Sequence, residues 1–347
     1  MSVRSISELA ALGLCSSEEH AALEAVSARF PVLLSDDLLG NLSKPLAAQF
    51  LPCVAELTSI DAERVDPIGD QRFSPCLGVV HRYPDRVLLM PVQECAAYCR
   101  FCFRREKVGR ERGTLSPEAL GHALDYIREK PDIWEVILTG GDPLILSPRR
   151  VEGIMSALAA IEHVEVVRIH TRLPVSAPSR FTSELIQAIN RFQRPSRAVY
   201  LVIHVNHIDE MTPAMRCVCA LAVESGIPLL SQTVLLKGVN DDSTALARLM
   251  RALVANRIKP YYLHHLDLAR GAGHFRTSIA EGQALAGALR AEASGLCQPS
   301  YVLDIPGGYG KVPIAASVLR SAGDAAYWVR DRHGQEHLYE DFAESPE

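Results

Sequence analysis

Six apolar runs of strand length recur along the middle of the chain, and stretches with helical spacing of apolar residues separate them. Three of these stretches begin with a hydroxyl residue followed by proline, which is typical of a capped helix start. Continuous apolar strands that alternate with helices indicate a parallel sheet buried on both faces, so the pattern predicts an α/β fold. The runs occupy residues 86–92, 134–139, 164–170, 198–204, 228–235 and 260–266, and the helix starts are Ser116-Pro117, Ser147-Pro148 and Thr212-Pro213.

The flanking segments follow other patterns. Residues 6–29 predict two short amphipathic helices, and prolines interrupt residues 31–80. Residues 327–347 alternate weakly as a strand and end in an acidic tail. Six strand–helix units are too few for a closed eight-stranded barrel, and an open doubly wound sheet fits the pattern equally well. In both architectures the residues that carry chemistry collect at the carboxyl ends of the strands.

Three cysteines directly after the first apolar run carry the clearest chemical signal. Cys95, Cys99 and Cys102 have the spacing C-x₃-C-x₂-C. A 4Fe–4S cluster normally takes four thiolates, so three on one loop leave one iron open to a small molecule. A zinc site would need a fourth ligand, usually from a second close pair, but Cys217 and Cys219 are only one residue apart. Three ordinary buried cysteines are the other alternative, and the spacing favours the open cluster.

Composition narrows the class of protein. The apolar fraction of 48% with 22% charged residues is typical of a soluble globular protein, and a net charge of −5 gives no support for nucleic-acid binding. No apolar stretch is long enough to span a membrane, and the N-terminus has no secretory pattern. Nine cysteines without such a signal favour a reducing compartment, so we expect a cytoplasmic protein.

Three motifs resemble the lysine 2,3-aminomutase family of radical S-adenosylmethionine enzymes: HRYPDR at 81–86, ECAAYCRFCFRR at 94–105 and DIPGGYGK at 304–311. The resemblance runs to about Pro313. It implies a partial (β/α)₆ barrel of the radical S-adenosylmethionine type with an N-terminal helical extension. We therefore expect an N-terminal helical region at 1–80, the barrel with its lysine segment at 81–313, and a C-terminal extension at 314–347.

The resemblance also assigns roles to side chains that, taken singly, would suggest only strand-end turns, structural histidines and surface ion pairs. Cys95, Cys99 and Cys102 would hold the 4Fe–4S cluster. Contacts to S-adenosylmethionine would come from Gly140, Gly141, Asp142, His204, Asn206 and Gln232. Lys311 would form the Schiff base with pyridoxal phosphate, and Arg86 and Tyr83 would contact the same cofactor. Arg104 would hold the α-carboxylate of the substrate, and Asp267 and Asp304 would hold its distal ammonium.

These roles imply an isomerase that converts L-lysine to β-lysine after a 5′-deoxyadenosyl radical removes a β-hydrogen. A one-electron donor such as a flavodoxin or ferredoxin is implied, and we expect a homo-oligomer that binds neither nucleic acid nor membrane. Zinc is not expected, because no cysteine follows Cys297. A close alternative supplies β-lysine to elongation factor P, since His264 replaces a tyrosine as in those relatives. An iron–sulfur redox sensor without catalysis is an alternative from another class.

Overall fold

A nine-stranded sheet, in the spatial order β1 to β9, forms the centre of the computed structural model, which describes residues 2–16, 18–110, 113–323 and 325–341. Neighbouring strands from β2 to β8 run parallel, and β1 and β9 are antiparallel strands at the two edges. The strands are β1 (Val79–Tyr83), β2 (Arg86–Val92), β3 (Glu135–Gly140), β4 (Val166–Thr171), β5 (Ala198–His204), β6 (Leu229–Val234), β7 (Ile258–His264), β8 (Ser300–Asp304) and β9 (Lys311–Pro313).

Helices connect all the parallel strands. The helices at the three predicted starts begin at the proline after Ser116, Ser147 and Thr212, which confirms the expectation. The helices are α1 (Ile6–Ala11), α2 (His20–Arg29), α3 (Asp36–Leu39), α4 (Lys44–Phe50), α5 (Pro117–Arg128), α6 (Pro148–Ala159), α7 (Leu173–Ser176), α8 (Ser183–Ile189), α9 (Pro213–Glu224), α10 (Ser243–Ala255) and α11 (Ile279–Glu292).

Six helical connections between seven parallel strands confirm the predicted partial barrel. The six apolar runs correspond to β2 to β7. Strand β8 was not predicted, because only Tyr301, Val302 and Leu303 are apolar in it and the run is shorter than a typical strand.

The sheet packs one face against the helices, and its other face lies on the inside of the partial barrel, which we call the cavity side. In β4 the residues Val167, Ile169 and Thr171 are buried, whereas Arg168 and His170 alternate with them and are less buried. Because successive side chains in a strand point to opposite faces, this alternation separates an apolar packing face from a polar cavity face. The functional side chains of the central strands therefore lie on the cavity side.

The N-terminal region packs directly on the cysteine loop. Backbone N–H groups of Tyr98 and Arg100 donate to the carbonyls of Leu33 and Gln49 at 2.9 and 2.8 Å. Ala97 belongs to the same apolar cluster as the side chains of α1 to α4. The boundary at residue 80 stays a prediction, and residues before it form part of the wall of the site.

A separate three-stranded antiparallel sheet lies near the C-terminus, where the sequence predicted a single strand. It consists of β10 (Leu319–Gly323), β11 (Ala326–Arg330) and β12 (Glu336–Glu340). The first turn has Gly323 at φ 125° and the second has Gly334 at φ 83°. Residues 342–347 of the predicted acidic tail lie outside the described residues. In the part of the chain that the structure covers, no helix is long and apolar enough to cross a membrane.

Candidate active site

The three predicted cluster ligands lie on the loop after β2. They line one small pocket together with Phe30, Pro31 and Tyr98. All three thiols are free of disulfides. Burial raises the pKa of Cys95 and of Cys99, and it raises the pKa of Cys102 to about 11. Among the described residues no three metal-binding side chains converge on a single ion. Three free thiols on one loop fit a 4Fe–4S cluster, in which each cysteine binds a different iron and the metal charge stabilises the thiolate.

A buried ion-pair network holds this loop in place. Glu56, which is 0% exposed, pairs with Arg100 at 2.6 Å and also with Arg105. The guanidinium of Arg105 also lies 3.6 Å from the centre of the Phe30 ring. Two arginines on the cysteine loop therefore share one carboxylate from the N-terminal region. Removing that carboxylate would leave two buried charges unpaired.

The glycine turn after β3 lies tightly against the residues that precede Cys95. Gly140 has φ 112°, a conformation that favours glycine. A Cβ on Gly141 would lie 2.1 Å from the carbonyl oxygen of Glu94. The buried carboxylate of Asp142 accepts hydrogen bonds from Thr171 Oγ1 at 2.8 Å and from the backbone N–H of Arg172 at 2.7 Å. Asp142 thus joins β3 to β4, and its predicted contact to S-adenosylmethionine stays a prediction.

His204 and Gln232 lie at the cavity side of β5 and β6. His204 Nε2 is 3.1 Å from Asn206 Oδ1, and the His204 ring lies 5.4 Å from the ring of Phe101 beside the cluster loop. Gln232 Nε2 is 3.2 Å from His170 Nε2. Burial lowers the pKa of His204 and of His170 well below the usual value, so both imidazoles are neutral at neutral pH. They offer hydrogen bonds without positive charge.

Asn206 is the most enclosed of the predicted ligand contacts. Its side chain donates to Gln49 Oε1 at 2.9 Å and accepts from the backbone N–H of Val234 at 2.8 Å. These bonds link α4 to the ends of β5 and β6. The structure therefore gives Asn206 a role in joining elements around the site, and its predicted cofactor contact is untested.

Arg172, just after β4, contacts a predicted cluster ligand and was not among the predicted site residues. Its guanidinium donates to Cys99 Sγ at 2.7 Å, to Gln49 Oε1 at 2.7 Å and to Glu210 Oε2 at 3.2 Å. It also lies 5.2 Å from the centre of the Phe101 ring. Its position after the run at 164–170 could have identified it as a strand-end residue, whereas Gln49 and Glu210 carry no such signal.

Lys311 begins β9 and its amine lies in a polar cluster. Nζ forms an ion pair with Asp304, its cross-strand neighbour, and lies 3.2 Å from His264 Nδ1. The amine is also 5.3 Å from the centre of the Tyr262 ring. Although burial opposes the shift, His264 and Lys311 hold the pKa of Asp304 well below its usual range. Asp304 is therefore ionised at neutral pH.

Tyr83 lies beside this lysine and Arg86 packs on Tyr83, while the predicted contact of both with pyridoxal phosphate stays a prediction. The hydroxyl of Tyr83 accepts a hydrogen bond from the backbone N–H of Lys311 at 3.0 Å. The Arg86 guanidinium lies 3.8 Å from the centre of the Tyr83 ring, and it pairs with Asp85 at 2.6 Å. An amine, a guanidinium and aromatic rings in one cluster fit an aromatic aldehyde that carries a phosphate group.

The predicted substrate residues differ in how they are paired. Arg104 forms an ion pair with Asp70 at 2.8 Å. No residue in the described part of the chain donates a hydrogen bond to the carboxylate of Asp267. Burial and the charge of Asp304 raise the pKa of Asp267 to about 7, although Lys311 and Arg104 act in the opposite direction. Among the described residues Asp267 thus has no ion-pair partner, although the charges of Lys311 and Arg104 act on it.

Comparisons with known proteins place the site in context. A model of the radical SAM superfamily matches residues 89–250. The L-lysine 2,3-aminomutase of Fusobacterium nucleatum is 37% identical over 290 residues, which cover 84% of this chain and 67% of that protein. The L-lysine 2,3-aminomutase of Clostridium subterminale is 39% identical over 290 residues, covering 84% of this chain and 69% of its own length. The glutamate 2,3-aminomutase of Clostridioides difficile is 34% identical over 301 residues, with 87% and 70% covered.

Proposed function

Since the chain belongs to the lysine 2,3-aminomutase family of radical S-adenosylmethionine enzymes, we propose that it converts L-lysine to β-lysine. Membership in the radical S-adenosylmethionine superfamily implies a 4Fe–4S cluster and S-adenosylmethionine. The observation that carries the choice of lysine is the unpaired carboxylate of Asp267 near Asp304, in a site that also holds Arg104.

Cys95, Cys99 and Cys102 would each bind one iron, and the fourth iron would face the cavity. When bound, the cluster and S-adenosylmethionine supply the radical that takes a hydrogen atom from the substrate. The neutral imidazole of His204 and the amide of Gln232 line this side of the cavity and donate or accept hydrogen bonds without adding charge. Phe101, which is 4% exposed, helps to keep water from the cluster loop.

Pyridoxal phosphate is the second cofactor of the proposal, and Lys311 would hold it covalently. Bound there, it would supply the unsaturated group that carries the amino nitrogen from Cα to Cβ. Asp304 and His264 both contact the amine of Lys311 and hold it in place. Arg86 is the cation available for a phosphate group, and Tyr83 fixes the backbone at Lys311.

The two acidic side chains Asp267 and Asp304 favour a substrate with a cationic side chain. A unit-charge pair at 4 Å is worth ~4 kcal/mol at an effective dielectric of 20, so the distal ammonium of lysine would be attracted to Asp267 and Asp304. A glutamate side chain would be repelled by a similar amount. Arg104 would hold the α-carboxylate at the other end. This separates the proposed activity from that of the glutamate 2,3-aminomutase relative.

The test is an anaerobic assay of the reconstituted protein with reductant, S-adenosylmethionine and pyridoxal phosphate, comparing kcat/KM for lysine, arginine and glutamate. We expect lysine to be preferred, arginine to be a weak substrate and glutamate to be rejected. Asp267→Asn should lower kcat/KM for lysine by roughly ten-fold or more, since a lost charged contact costs ~1.5–3 kcal/mol. Iron content and cofactor loading should not change.

Asp125→Asn is a matched control, because Asp125 is 60% exposed on α5 and pairs only with Arg128 in the described part of the chain. Its kcat/KM should equal that of the wild type. A wild-type preference for glutamate, or full activity of Asp267→Asn on lysine, would overturn the choice of substrate. An external one-electron donor, a homo-oligomeric state and a cytoplasmic location complete the proposal.

A further inference from the structure

Asp70 is a buried carboxylate that two arginines of the site share. It is 5% exposed and lies in the N-terminal region. Its Oδ2 accepts hydrogen bonds from Arg104 Nε at 3.0 Å and from Arg104 Nη2 at 2.8 Å. Its Oδ1 accepts from Arg82 Nη2 at 3.1 Å. Two guanidinium groups thus share one buried carboxylate.

This arrangement determines which part of Arg104 is free. The Nε and Nη2 edge of its guanidinium is occupied by Asp70, and among the described residues Nη1 makes only a long contact of 3.4 Å with Thr139 Oγ1. The terminal nitrogen Nη1 is therefore the donor with most capacity for another acceptor. Since a guanidinium is planar and rigid, fixing one edge also fixes the direction of the other.

Asp70 itself is held firmly. Its backbone N–H donates to Asp66 Oδ1 at 2.9 Å, and Arg82, its second partner, also donates to the carbonyl of Ile68 at 2.6 Å. The carboxylate therefore has a defined position before any ligand binds. This is the condition under which one side chain can direct another.

The segment that carries Asp70 also packs on the segment that leads to Lys311. The backbone N–H of Gly307 donates to the carbonyl of Pro67 at 3.1 Å. A Cβ on Gly69, the neighbour of Asp70, would lie 2.6 Å from the carbonyl carbon of Gly307. Such close backbone contact fixes the distance between the two segments. Asp70 thus connects Arg104 to the part of the chain that presents the lysine.

We propose that Asp70 is a positioning residue, which directs Nη1 of Arg104 toward the α-carboxylate of the amino acid and so aligns the substrate with Lys311. The proposal rests on the proposed function, in which Arg104 holds that carboxylate. Removing the charge of Asp70 leaves Arg104 cationic but free to turn. The α-carboxylate of the substrate would still be attracted to Arg104, but it would bind at a displaced position.

A loss of alignment has a different kinetic signature from a loss of binding. A misplacement of about 1 Å can lower a rate by roughly 100-fold, whereas an unchanged attraction leaves the affinity as it was. In the anaerobic assay, Asp70→Asn should therefore lower kcat for lysine by about 10- to 100-fold while KM rises by no more than about three-fold. Cleavage of S-adenosylmethionine per β-lysine formed should also rise.

Arg104→Lys provides the comparison, because it should raise KM for lysine. In the double variant, Asp70→Asn should add little to Arg104→Lys if Asp70 acts through the guanidinium. Glu63→Gln is the matched control: Glu63 is a buried acid of the same region that pairs with Arg276 at 3.3 Å, and its loss should leave kcat within two-fold in protein that remains folded.

The outcomes separate the two proposals. If Arg104→Lys leaves KM unchanged, the proposed role of Arg104 fails, and the inference about Asp70 fails with it. If Arg104→Lys raises KM but Asp70→Asn keeps the wild-type kcat, or if the two effects are additive, the inference about Asp70 alone is wrong. If Asp70→Asn does not fold, Asp70→Glu is the variant to measure, because it retains the charge and displaces it by one methylene. It should lower kcat at wild-type iron content, and a wild-type kcat for Asp70→Glu would overturn the inference.

Discussion

At the residue scale, the charge of Asp267 depends on pH in the range in which the enzyme would be assayed. Burial and the neighbouring charge of Asp304 raise its pKa to about 7. Below that pH the carboxyl is protonated and no longer attracts the ammonium of lysine, whereas above it the carboxylate is ionised. We therefore expect KM for lysine to rise as pH falls from 8 to 6, by up to about ten-fold per unit below the pKa.

The same measurement on Asp267→Asn provides the check, because the variant has no group to titrate at this position. Its KM should be high at every pH and should follow a flatter profile. If the Asn variant retained the wild-type slope, another group would be responsible for the pH dependence.

Single residues also show how far the sequence could predict the site. The cysteines were identifiable from their spacing, whereas Lys311 was identifiable only because its segment resembles that of a known family. Asp70 was not, because nothing in its own segment indicates that it pairs with Arg104, which lies 34 residues further along the chain. Gln49 meets Asn206 across 157 residues. Such pairs form only when folding brings distant segments together. A single sequence does not indicate which of its residues will meet in this way.

At the scale of elements, Glu56 joins the cysteine loop to the N-terminal region through Arg100 and Arg105. Glu56→Gln would leave Arg100 and Arg105 buried without a counter-charge, and breaking a buried pair costs ~3–5 kcal/mol. We expect a loss of that order in the free energy of unfolding, measured with urea, together with a lower iron content after reconstitution.

Glu152→Gln is the control at this scale, since Glu152 is 41% exposed and pairs with Arg191 at 2.7 Å. Breaking an exposed pair should cost less than ~1 kcal/mol and leave the iron content unchanged. Equal losses in the free energy of unfolding of the two variants would show that burial does not govern the contribution of Glu56 to stability.

The elements themselves were largely predictable. Apolar runs identified β2 to β7 because strands buried in a parallel sheet are apolar along their length. The pattern gave no information on β8 and β9, which are short, and it predicted one strand where β11 and β12 form a hairpin. In these segments the pairing with neighbours, and not local composition, determines the strand.

At the scale of the whole molecule, the sheet is a barrel that does not close. In the described part of the chain β1 and β9 form its two edges and share no ladder of backbone hydrogen bonds. The hydroxyl of Tyr83 on β1 bonds to the backbone of Lys311 on β9. A ligand bound to Lys311 and in contact with Tyr83 would therefore contact both edges.

The gap between the edge strands β1 and β9 should be the part of the sheet that opens most easily. We expect the amides of β9 to exchange with deuterium faster than those of β5, which has a neighbour on each side, and binding of pyridoxal phosphate should slow exchange in β9. Tyr83→Phe should speed exchange in β9 without changing β5, measured by mass spectrometry of peptides. Exchange in β9 that is as slow as in β5, or that is insensitive to both changes, would contradict this view. If the view is correct, bound cofactor holds the two edge strands β1 and β9 together, and without cofactor the sheet opens most readily between them.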